Sequence, residues 1–389
     1  MEKSLRTGDP VEKKPARRIM FFVTEDWYFR SHRLALAIGL RKAGFDVAVA
    51  MKVNGPIDDI QKEGIEVFSM PFERALGTII SDLRVIILIR KIVTNWKPSL
   101  VHFVSLKPII LGGCAVSFAS EVVVVNAFTG LGYLFSSPSI KAKLMRRLLL
   151  SALRKLCNRP KNWIVVQNEN DLGELRQSKV GIQKRAALIQ GTGVNVDSCP
   201  TPEELESPFQ VVLLARLLVD KGIRDFVDAA KIYCQSRSDV RWVIAGAFDP
   251  DNPGALSSKE IESWSETGVV EWVGYVEDVY SLLRRSHAVC LPSYREGLPR
   301  ALLEAAACGK ALIATDVPGC RAICLHNQTG ILVPLRDPKA IALAVERMVQ
   351  DPNFRKKCGR NGRELVRERF SPGSILNQTT NLYYKALQI

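Results

Sequence analysis

The sequence lacks an apolar run that approaches the roughly 18 residues a membrane-spanning helix needs. We therefore expect neither a membrane span nor a signal sequence, so that any membrane contact would be peripheral. It also lacks a Cys-x-x-Cys pair and a His pair that would complete a metal set, although it has nine cysteines and four histidines. An odd number of scattered cysteines indicates reduced, mostly buried thiols in a cytoplasmic protein without a metal centre.

Acidic residues are scarce in the first half of the chain. Residues 1–200 carry 30 Lys and Arg against 17 Asp and Glu, whereas residues 201–389 carry 24 against 23. The basic half should therefore meet an anionic partner, either a phospholipid surface, a nucleic acid or a phosphate-bearing substrate. No aromatic-rich basic stretch, zinc spacing or recognition-helix pattern accompanies the charge. A basic nucleic-acid-binding protein is thus the alternative from another functional class, and no nucleic acid is expected as a partner.

Two series of apolar strands alternate with helices, over residues 17–198 and 209–370. Strands that are apolar throughout predict parallel sheets covered on both faces. Residues 199–208 are rich in proline and glutamate and predict a linker, and a polar tail at 1–16 is expected to be disordered. A last helix at 371–389 should cross back to the first domain. The fold class is α/β, with two Rossmann-like doubly wound domains facing each other across a cleft that binds ligands at the carboxyl ends of the strands.

Residues 293–318, SYREGLPRALLEAAACGKALIATDVP, place two acidic residues on either side of a predicted helix start. Pro299 suits the first helical position, and strong helix formers follow it. Glu296 then lies on the loop and Glu304 in the helix, so both can face one cleft at which free N–H groups attract an anion. The alternative is that Glu304 pairs with Arg300 and that Glu296 caps a loop.

Two cations follow the strand predicted at 209–215. Arg216 and Lys221 lie just past its carboxyl end, at or near a helix start. Two cations at such a place can neutralise a diphosphate without a metal ion, Arg by its planar fork and Lys as a point charge. Alternatively, they simply pair with Asp220 and Asp225.

At these motifs the chain resembles the retaining glycosyltransferases of family 4, which have the GT-B fold. The resemblance is carried by Arg-x4-Lys-Gly, by Glu-Gly-Leu-Pro with a second Glu eight residues after the first, by TDVPGCR at 315–321 and by NQTG at 327–330. It implies a nucleoside-diphosphate sugar as donor, with a UDP-sugar as the first expectation, and no requirement for a divalent metal or another cofactor. A non-hydrolysing sugar-nucleotide epimerase shares the architecture but not these motifs.

The resemblance also implies roles for individual residues. Arg216 and Lys221 would bind the diphosphate, Glu304 the ribose hydroxyls and Glu296 the donor sugar. The backbone around Leu298 and Pro299 would bind phosphate. The segment beside the base would be Tyr275, Val276 and Glu277.

The first domain departs from the family where many members carry a His before a Gly. This chain has TGLGY at 129–133 instead. If the reaction follows a front-face path, the departing phosphate can take the acceptor proton, and Thr129 would orient the substrate without reacting. His102, at a predicted strand end, and nearby Lys107 would face the cleft, unless His102 is a satisfied structural histidine.

The motifs FVTEDW at 22–27, RSHR at 30–33, LKP at 106–108 and TGLGY are similar to a bacterial subgroup that extends sugars on undecaprenyl diphosphate. The subgroup is typified by the N-acetylgalactosaminyltransferases that act on diphospho-undecaprenol-linked N,N'-diacetylbacillosamine. The likeness implies an acceptor diphosphate at the start of a helix that carries Arg30, His32 and Arg33. The other expected acceptor contacts are His102, Lys107, Gly130 and Gly132.

A long helix predicted at 139–157 has a basic face and an apolar face. The basic face holds Lys143, Arg146, Arg147 and Arg154, and the apolar face holds Met145, Leu149, Ala152 and Leu156. We expect the apolar stripe to pack on the core and the basic face to contact anionic lipid, the alternative being an ordinary surface helix.

Together these observations predict an enzyme on the inner face of the cell membrane that moves an N-acetylhexosamine or related hexose to a polyprenyl-diphosphate-linked sugar. The product would serve bacterial surface glycan or glycoprotein biosynthesis. A GT-B enzyme with a soluble sugar or protein acceptor is the nearer alternative.

Overall fold

The fold is described from a computed structural model that covers residues 17–73, 79–119, 121–130, 140–181, 183–199, 208–250, 252 and 254–388. The chain divides into two compact units, one formed by the residues up to Asn126 with Tyr383–Ile389 and the other by Ala127–Leu382. This division differs from the predicted domain limits. Val194, Val196 and Cys199 are buried in a core cluster of the second unit, which ties the end of the first predicted domain to that core.

The first sheet has seven strands in the order β3-β2-β1-β4-β5-β6-β7. The strands are β1 (Arg18–Glu25), β2 (Asp46–Lys52), β3 (Glu66–Ser69), β4 (Leu100–Val104), β5 (Val123–Phe128), β6 (Asn162–Val166) and β7 (Ala186–Leu188). Strand β1 pairs in parallel with β2 on one side and with β4 on the other, so that the strand order reverses there. Buried side chains run through β2, β4 and β5, as expected for a sheet covered on both faces.

Seven helices of the described residues connect these strands. They are α1 (Asp26–His32), α2 (Leu34–Lys42), α3 (Asp58–Lys62), α4 (Ile79–Trp96), α5 (Leu106–Ala115), α6 (Ile140–Cys157) and α7 (Glu169–Gln177). Two short helices, α1 and α2, follow β1, where the sequence analysis expected one helix to begin at Arg30, His32 and Arg33. Arg33 separates them with a non-helical backbone, at φ −131°. The first begins directly after β1, where Asp26 accepts a hydrogen bond from its neighbour Trp27 N–H.

The second sheet has six strands in the order β10-β9-β8-β11-β12-β13. The strands are β8 (Phe209–Leu214), β9 (Val240–Ala245), β10 (Glu271–Trp272), β11 (Ala288–Leu291), β12 (Ala311–Thr315) and β13 (Gly330–Val333). The pairings of β8 with β9 and with β11 are parallel, and β8 and β11 meet where the strand order reverses. This is the topology at which doubly wound sheets bind ligands.

Helices pack on both sides of this sheet. They are α8 (Ile223–Cys234), α9 (Ser258–Glu266), α10 (Val279–Arg284), α11 (Arg300–Ala307), α12 (Pro318–Arg321), α13 (Pro338–Gln350) and α14 (Pro352–Arg369). One buried cluster joins α8 and α13 to the sheet, and another joins α11 and α14 to it. The architecture is therefore α/β with two Rossmann-like parallel sheets, as the sequence predicted.

The last helix, α15 (Pro372–Leu387), ends in the first unit. Tyr383 is fully buried there and its hydroxyl contacts His102, while the ring of Tyr384 lies 5.7 Å from that of Phe45. No helix in the described part of the chain combines the length and apolar character needed to cross a bilayer.

Candidate active site

The loops that follow β8 and β11 are fixed to each other at the reversal of the second sheet. Tyr294 N–H donates a hydrogen bond of 2.8 Å to the carbonyl of Asp220. Gly222 has a left-handed backbone, φ +69°, and a Cβ there would come within 2.0 Å of the Pro292 carbonyl oxygen. Only glycine therefore fits this crossing. The close approach brings the side chains that follow Asp220 towards the loop that follows β11.

Lys221 and Glu296 form an ion pair across this crossing. Lys221 Nζ lies 2.7 Å from Glu296 Oε1, and the two side chains are only 18% and 11% exposed. The residues are 75 positions apart in the sequence, so the pair exists because β8 and β11 are neighbours in the sheet. Sequence analysis placed both residues at the site without predicting that they would pair. An ammonium group held this way still has donors that can reach an anion.

The backbone around Glu296 is packed on both sides. A Cβ on Gly319, in the short helix α12 that follows β12, would lie 2.5 Å from the Glu296 carbonyl oxygen. A Cβ on Gly297 would lie 2.5 Å from the carbonyl oxygen of Thr129, which brings this predicted site residue beside Glu296. Asn168 Nδ2 donates to the Gly297 carbonyl at 3.0 Å. These contacts hold the loop that carries Glu296 in one conformation.

Glu304 lies in α11, which begins at Arg300. Pro299 has an extended backbone, φ −74° and ψ 113°, and is the N-cap residue, so the expected helix start was wrong by one position. Glu304 is buried and accepts a hydrogen bond of 2.7 Å from Arg300 Nε, which confirms the pairing that the sequence analysis had kept as the alternative. Burial, and then the charge of Glu304, raise the pKa of Tyr280.

Arg216 takes a partner that the sequence analysis missed. Its Nη1 lies 2.7 Å from Asp249 Oδ2, rather than beside Asp220 or Asp225. Asp249 follows β9, which neighbours β8 in the sheet, so the strand order brings the two loops together. The acidic loop FDPDN after a predicted strand was the available signal. Arg216 remains about half exposed and Asp249 is buried, so the guanidinium retains donors for a ligand.

The remaining predicted donor residues lie in two further places. Tyr275, Val276 and Glu277 follow β10, the edge strand two positions from β8, and Tyr275 is 75% exposed. Val276 packs on a small cluster on one face of the sheet. Leu298 is half-buried and its side chain lies against Gly191, where a Cβ would be 2.5 Å from its Cδ2 atom.

A buried polar group beside Gly297 was missed by the sequence analysis. Asn168 caps α7 by accepting a hydrogen bond of 2.8 Å from Asp171 N–H, and Asp171 lies 3.4 Å from Arg295 Nη2. Burial raises the pKa of Asp171, and the charge of Arg295 opposes that rise. The Asn-Glu-Asn-Asp sequence, with a cap residue before a helix, was the signal.

Gly130 and Gly132 of the 129–133 segment were expected to contact the acceptor. Gly130 has φ +139°, a backbone conformation that favours glycine. The space around it is open in the described part of the chain, so a Cβ there would meet no other described atom. Gly132 lies outside the described residues.

The predicted acceptor cations of the first unit are largely engaged by the protein itself. Arg30 Nε lies 2.8 Å from Asp59, and its Nη1 lies 3.4 Å from Asp26. The hydrogen bond to Asp59 raises the pKa of Arg30. Arg30 and His32 lie in the last turn of α1, which corrects the expectation that they begin a helix. The His32 ring stacks on Tyr28 at 4.1 Å, and its Nδ1 lies 2.6 Å from Ser31 Oγ.

His102 is a buried residue inside β4 and does not stand at the strand end. Its Nδ1 contacts the Tyr383 hydroxyl, and its Nε2 has no partner among the described residues. Burial, and then the charge of Arg33, hold the pKa of His102 well below 6.5. Arg33 is itself buried and donates to the His32 carbonyl at 3.2 Å. Lys107 Nζ lies 3.2 Å from Asp82 Oδ1, so the two residues form an ion pair.

The buried face of α6 matches the predicted apolar stripe only in part, because Leu156 is buried and Leu149 and Ala152 are half-buried. Leu150, Leu153, Leu156 and Cys157 are buried, whereas Met145 is 43% exposed. Arg146 lies 3.0 Å from Glu174 and Arg154 Nε donates to the Ser178 carbonyl at 2.8 Å. These two arginines of the predicted basic face are therefore bound to the neighbouring segment, which sets the rotation of the helix.

The outer face of α6 mixes charge with apolar groups. Arg147 is exposed beside Leu144 and Leu148, which are 60% and 66% exposed. The side chain of Lys143 lies outside the described residues. Among the described residues no group of three or more His, Cys, Asp or Glu side chains could hold a metal ion.

Comparison with known proteins identifies the two halves of the chain. Residues 18–165 match the family described as glycosyl transferase 4-like, and residues 200–365 match the family described as glycosyl transferases group 1. The chain is 23% identical to the N,N'-diacetylbacillosaminyl-diphospho-undecaprenol alpha-1,3-N-acetylgalactosaminyltransferase of Campylobacter jejuni, over 85% of this chain and 88% of that protein.

Two further similarities agree with this identification. The UDP-Gal:alpha-D-GlcNAc-diphosphoundecaprenol alpha-1,3-galactosyltransferase of Escherichia coli is 25% identical, over 82% of this chain and 84% of that protein. Among solved structures, the sucrose-phosphate synthase of Thermosynechococcus elongatus superimposes with a TM-score of 0.79 at 20% identity. That similarity covers 96% of this chain and 99% of the other, and it shows that the fold is shared.

Proposed function

Because the chain belongs to the GT-B glycosyltransferases that combine a 4-like domain with a group 1 domain, we propose that it moves a sugar from a nucleoside diphosphate to a polyprenyl-diphosphate-linked sugar. The anomeric configuration is retained, and the transferred group is an N-acetylhexosamine or related hexose. The product enters a bacterial surface glycan or glycoprotein. The Lys221–Glu296 pair at the strand-order reversal is the observation that carries this proposal.

The donor diphosphate binds where Lys221, Arg216 and the start of α11 offer positive charge. Both cations have an acidic partner in the structure but keep donors free, since an ammonium has three and a guanidinium five. The first amides of α11, after Pro299, have no partner within the helix and favour an anion. No divalent metal is needed, because two cations and a helix start can offset a diphosphate.

The two glutamates take different roles. Glu304, held by Arg300, accepts the ribose hydroxyls, since a carboxylate has lone pairs left after one such bond. Glu296 faces the donor sugar from the loop that Gly297 and Gly319 hold in place. Exposed Tyr275 and its neighbours Val276 and Glu277 lie beside the base, which is uracil in the relative whose name states the donor.

Transfer follows a front-face path. The acceptor hydroxyl oxygen bonds to the anomeric carbon as the bond from that carbon to the diphosphate oxygen breaks. The hydroxyl proton moves to the departing diphosphate, so that atoms and charge balance without a protein base. The contribution of the protein is positioning, by Thr129 and Gly297, and charge stabilisation of the leaving group by Arg216 and Lys221.

The acceptor is proposed to be a lipid-linked sugar diphosphate. The positive charge of residues 1–200 and the substrates in the names of the two relatives support this class. Arg33 and His102 are buried, and Arg30 and Lys107 are each paired with an aspartate, so Gly130 and Gly132 are the better candidates for direct contact. The exposed residues Leu144, Arg147 and Leu148 of α6 support peripheral attachment to anionic lipid at the inner membrane face.

A donor panel tests the proposal. Candidate UDP- and GDP-sugars are incubated with a short-chain polyprenyl-diphosphate sugar, and the release of nucleoside diphosphate and the glycosylated product are measured together. Lys221→Ala and Glu304→Ala should abolish transfer while the circular dichroism spectrum is kept. Lys231→Ala, which removes the exposed Lys231–Asp228 pair on α8, is the matched control and should transfer normally.

Three outcomes would contradict the proposal. Wild-type turnover in Lys221→Ala would remove the assigned site. Transfer to a soluble sugar or protein, with none to the lipid-linked sugar, would establish the other acceptor class. Binding to any polynucleotide that vanishes at moderate salt, without sugar transfer, would favour a nucleic-acid-binding protein.

A further inference from the structure

Helix α4, residues Ile79–Trp96, buries only one of its faces. Val85, Ile89, Val93 and Trp96 are buried, and Trp96 Nε1 donates to Glu66 Oε2 at 2.7 Å. Four large aliphatic side chains lie on the opposite side and are between 52% and 81% exposed. They are Ile79, Ile80, Leu83 and Ile87.

These four side chains form a continuous patch. At 3.6 residues per turn successive side chains are about 100° apart, so all four fall within an arc of about 100° over the first half of the helix. Scattered exposed aliphatic residues need no explanation, but clustered ones mark an interaction site. We call this the α4 patch.

Cations of the same helix border the α4 patch. Arg84, Arg90 and Lys91 are exposed on the same side of the helix. Arg90 lies 4.6 Å from the ring centroid of Phe118, an aromatic side chain that is itself 75% exposed. The single acidic residue of the helix, Asp82, is turned to the other side and lies 3.2 Å from Lys107. An apolar centre bordered by cations is the composition of helices that lie in the membrane interface.

We propose that the α4 patch inserts into the interfacial layer of an anionic phospholipid membrane, with Arg84, Arg90 and Lys91 among the headgroups. This inference deepens the proposed function and rests on it for the presence of a membrane-linked substrate. It assigns a docking surface to the first unit, whereas the outer face of α6 belongs to the second unit.

Charge argues against a second copy of the chain as the occupant. A two-fold contact through the α4 patch would place the same three cations of both copies near each other, and the one acid of this helix, Asp82, is turned away towards Lys107. A bilayer surface rich in acidic lipid instead attracts each cation while the aliphatic side chains leave water.

Vesicle sedimentation tests the proposal with the full chain. One variant, Ile80→Ser/Ile87→Ser, removes apolar contact, and another, Arg84→Gln/Lys91→Gln, removes charge. Leu343→Ser on α13 is the matched control, because Leu343 is an aliphatic side chain of the second unit that is also more than half exposed, at 55%. Vesicles rich in phosphatidylglycerol are compared with vesicles of phosphatidylcholine alone.

The two variants should differ in a defined way. The charge variant should bind phosphatidylglycerol vesicles about 20- to 30-fold more weakly, since each cation contributes roughly fivefold near an acidic surface. The serine variant should bind both kinds of vesicle at least about tenfold more weakly. Binding of either variant at the wild-type level would overturn the proposal. So would a loss of self-association in the serine variant, measured by light scattering without lipid, that leaves vesicle binding unchanged.

Transfer to a short-chain acceptor in detergent separates this inference from the proposed function. The α4 variants should retain that transfer, because their changes lie outside the site. If the wild-type protein transfers no sugar to any lipid-linked acceptor, the proposed function fails whatever the vesicle result. If transfer is normal and vesicle binding is unchanged by the variants, only the α4 inference fails.

Discussion

The Lys221–Glu296 pair predicts that two neighbouring substitutions change nucleotide affinity in opposite directions. In the free protein Glu296 Oε1 lies 2.7 Å from Lys221 Nζ. A diphosphate that takes another donor of the same ammonium would have an oxygen about 4–5 Å from the carboxylate. Like charges at that distance repel, so Glu296 limits the affinity of the site for a nucleoside diphosphate.

The size of this repulsion can be worked from the geometry. Two unit charges about 5 Å apart interact by about 3 kcal/mol at an effective dielectric constant of about 20. The diphosphate charge is spread over several oxygens and is partly screened, so we expect about 1–2 kcal/mol for Glu296→Gln. UDP should therefore bind roughly tenfold more tightly to this variant, while sugar transfer is lost.

Lys221→Met should do the reverse. It removes a hydrogen bond to a charged group, which is worth about 1.5–3 kcal/mol, so UDP should bind about 10- to 150-fold more weakly. Isothermal titration calorimetry with UDP measures both changes, well below the melting temperature of each variant. Lys231→Met removes an exposed lysine that pairs with Asp228 and should leave the affinity unchanged. Equal weakening by Glu296→Gln and Lys221→Met would refute a diphosphate beside this pair.

Three further predictions concern other parts of the molecule. Arg216→Gln should lower transfer by about 10- to 100-fold. Asp249→Asn should weaken UDP binding less than Arg216→Gln does, or strengthen it, because the guanidinium is then released from the contact of 2.7 Å. Equal loss of UDP binding in the two variants would point to a purely structural pair. Gly297→Ala should cost about 1–3 kcal/mol of unfolding free energy in urea titrations, because its Cβ would lie 2.5 Å from the Thr129 carbonyl oxygen, whereas Gly173→Ala, on α7 with open space around it, should not destabilise the protein. The pKa of buried His102 is depressed, so the unfolded chain takes up the proton first as the pH falls. The contribution of His102 to stability is therefore complete above about pH 6.5 and falls below it, by up to about 1.4 kcal/mol per pH unit. In urea titrations between neutral and mildly acidic pH, the unfolding free energy of His102→Gln should change less with pH than that of the wild type, and an identical change would show that His102 titrates normally.

The order of the elements could be predicted from the sequence because it depends on local patterns. The strand predicted at 209–215 is observed as β8, Phe209–Leu214, and the helix predicted at 139–157 as α6, Ile140–Cys157. Their apolar runs and flanking Pro or polar residues act within a few positions of each other. Short edge elements such as β7 and β13 were missed, because three or four residues carry too little periodicity to separate from a loop.

The charged residues of the site could also be chosen from sequence, but their partners could not. Arg216 had nearby acids in sequence at Asp220 and Asp225, and it pairs with Asp249 instead. Lys221 pairs with Glu296, 75 residues away, because β8 and β11 are adjacent. Which loops meet is decided by the strand order, and strand order depends on contacts across the whole sheet.

The same division applies to the surfaces. The sequence by itself determined that α6 is amphipathic and that the basic charge lies in residues 1–200. Only the tertiary structure decided which face of a helix is buried, since the pairing of Arg146 with Glu174 turns part of the basic face of α6 towards the protein. The tertiary structure also leaves four aliphatic residues of α4 exposed, which the sequence pattern of apolar and basic residues in this helix does not determine.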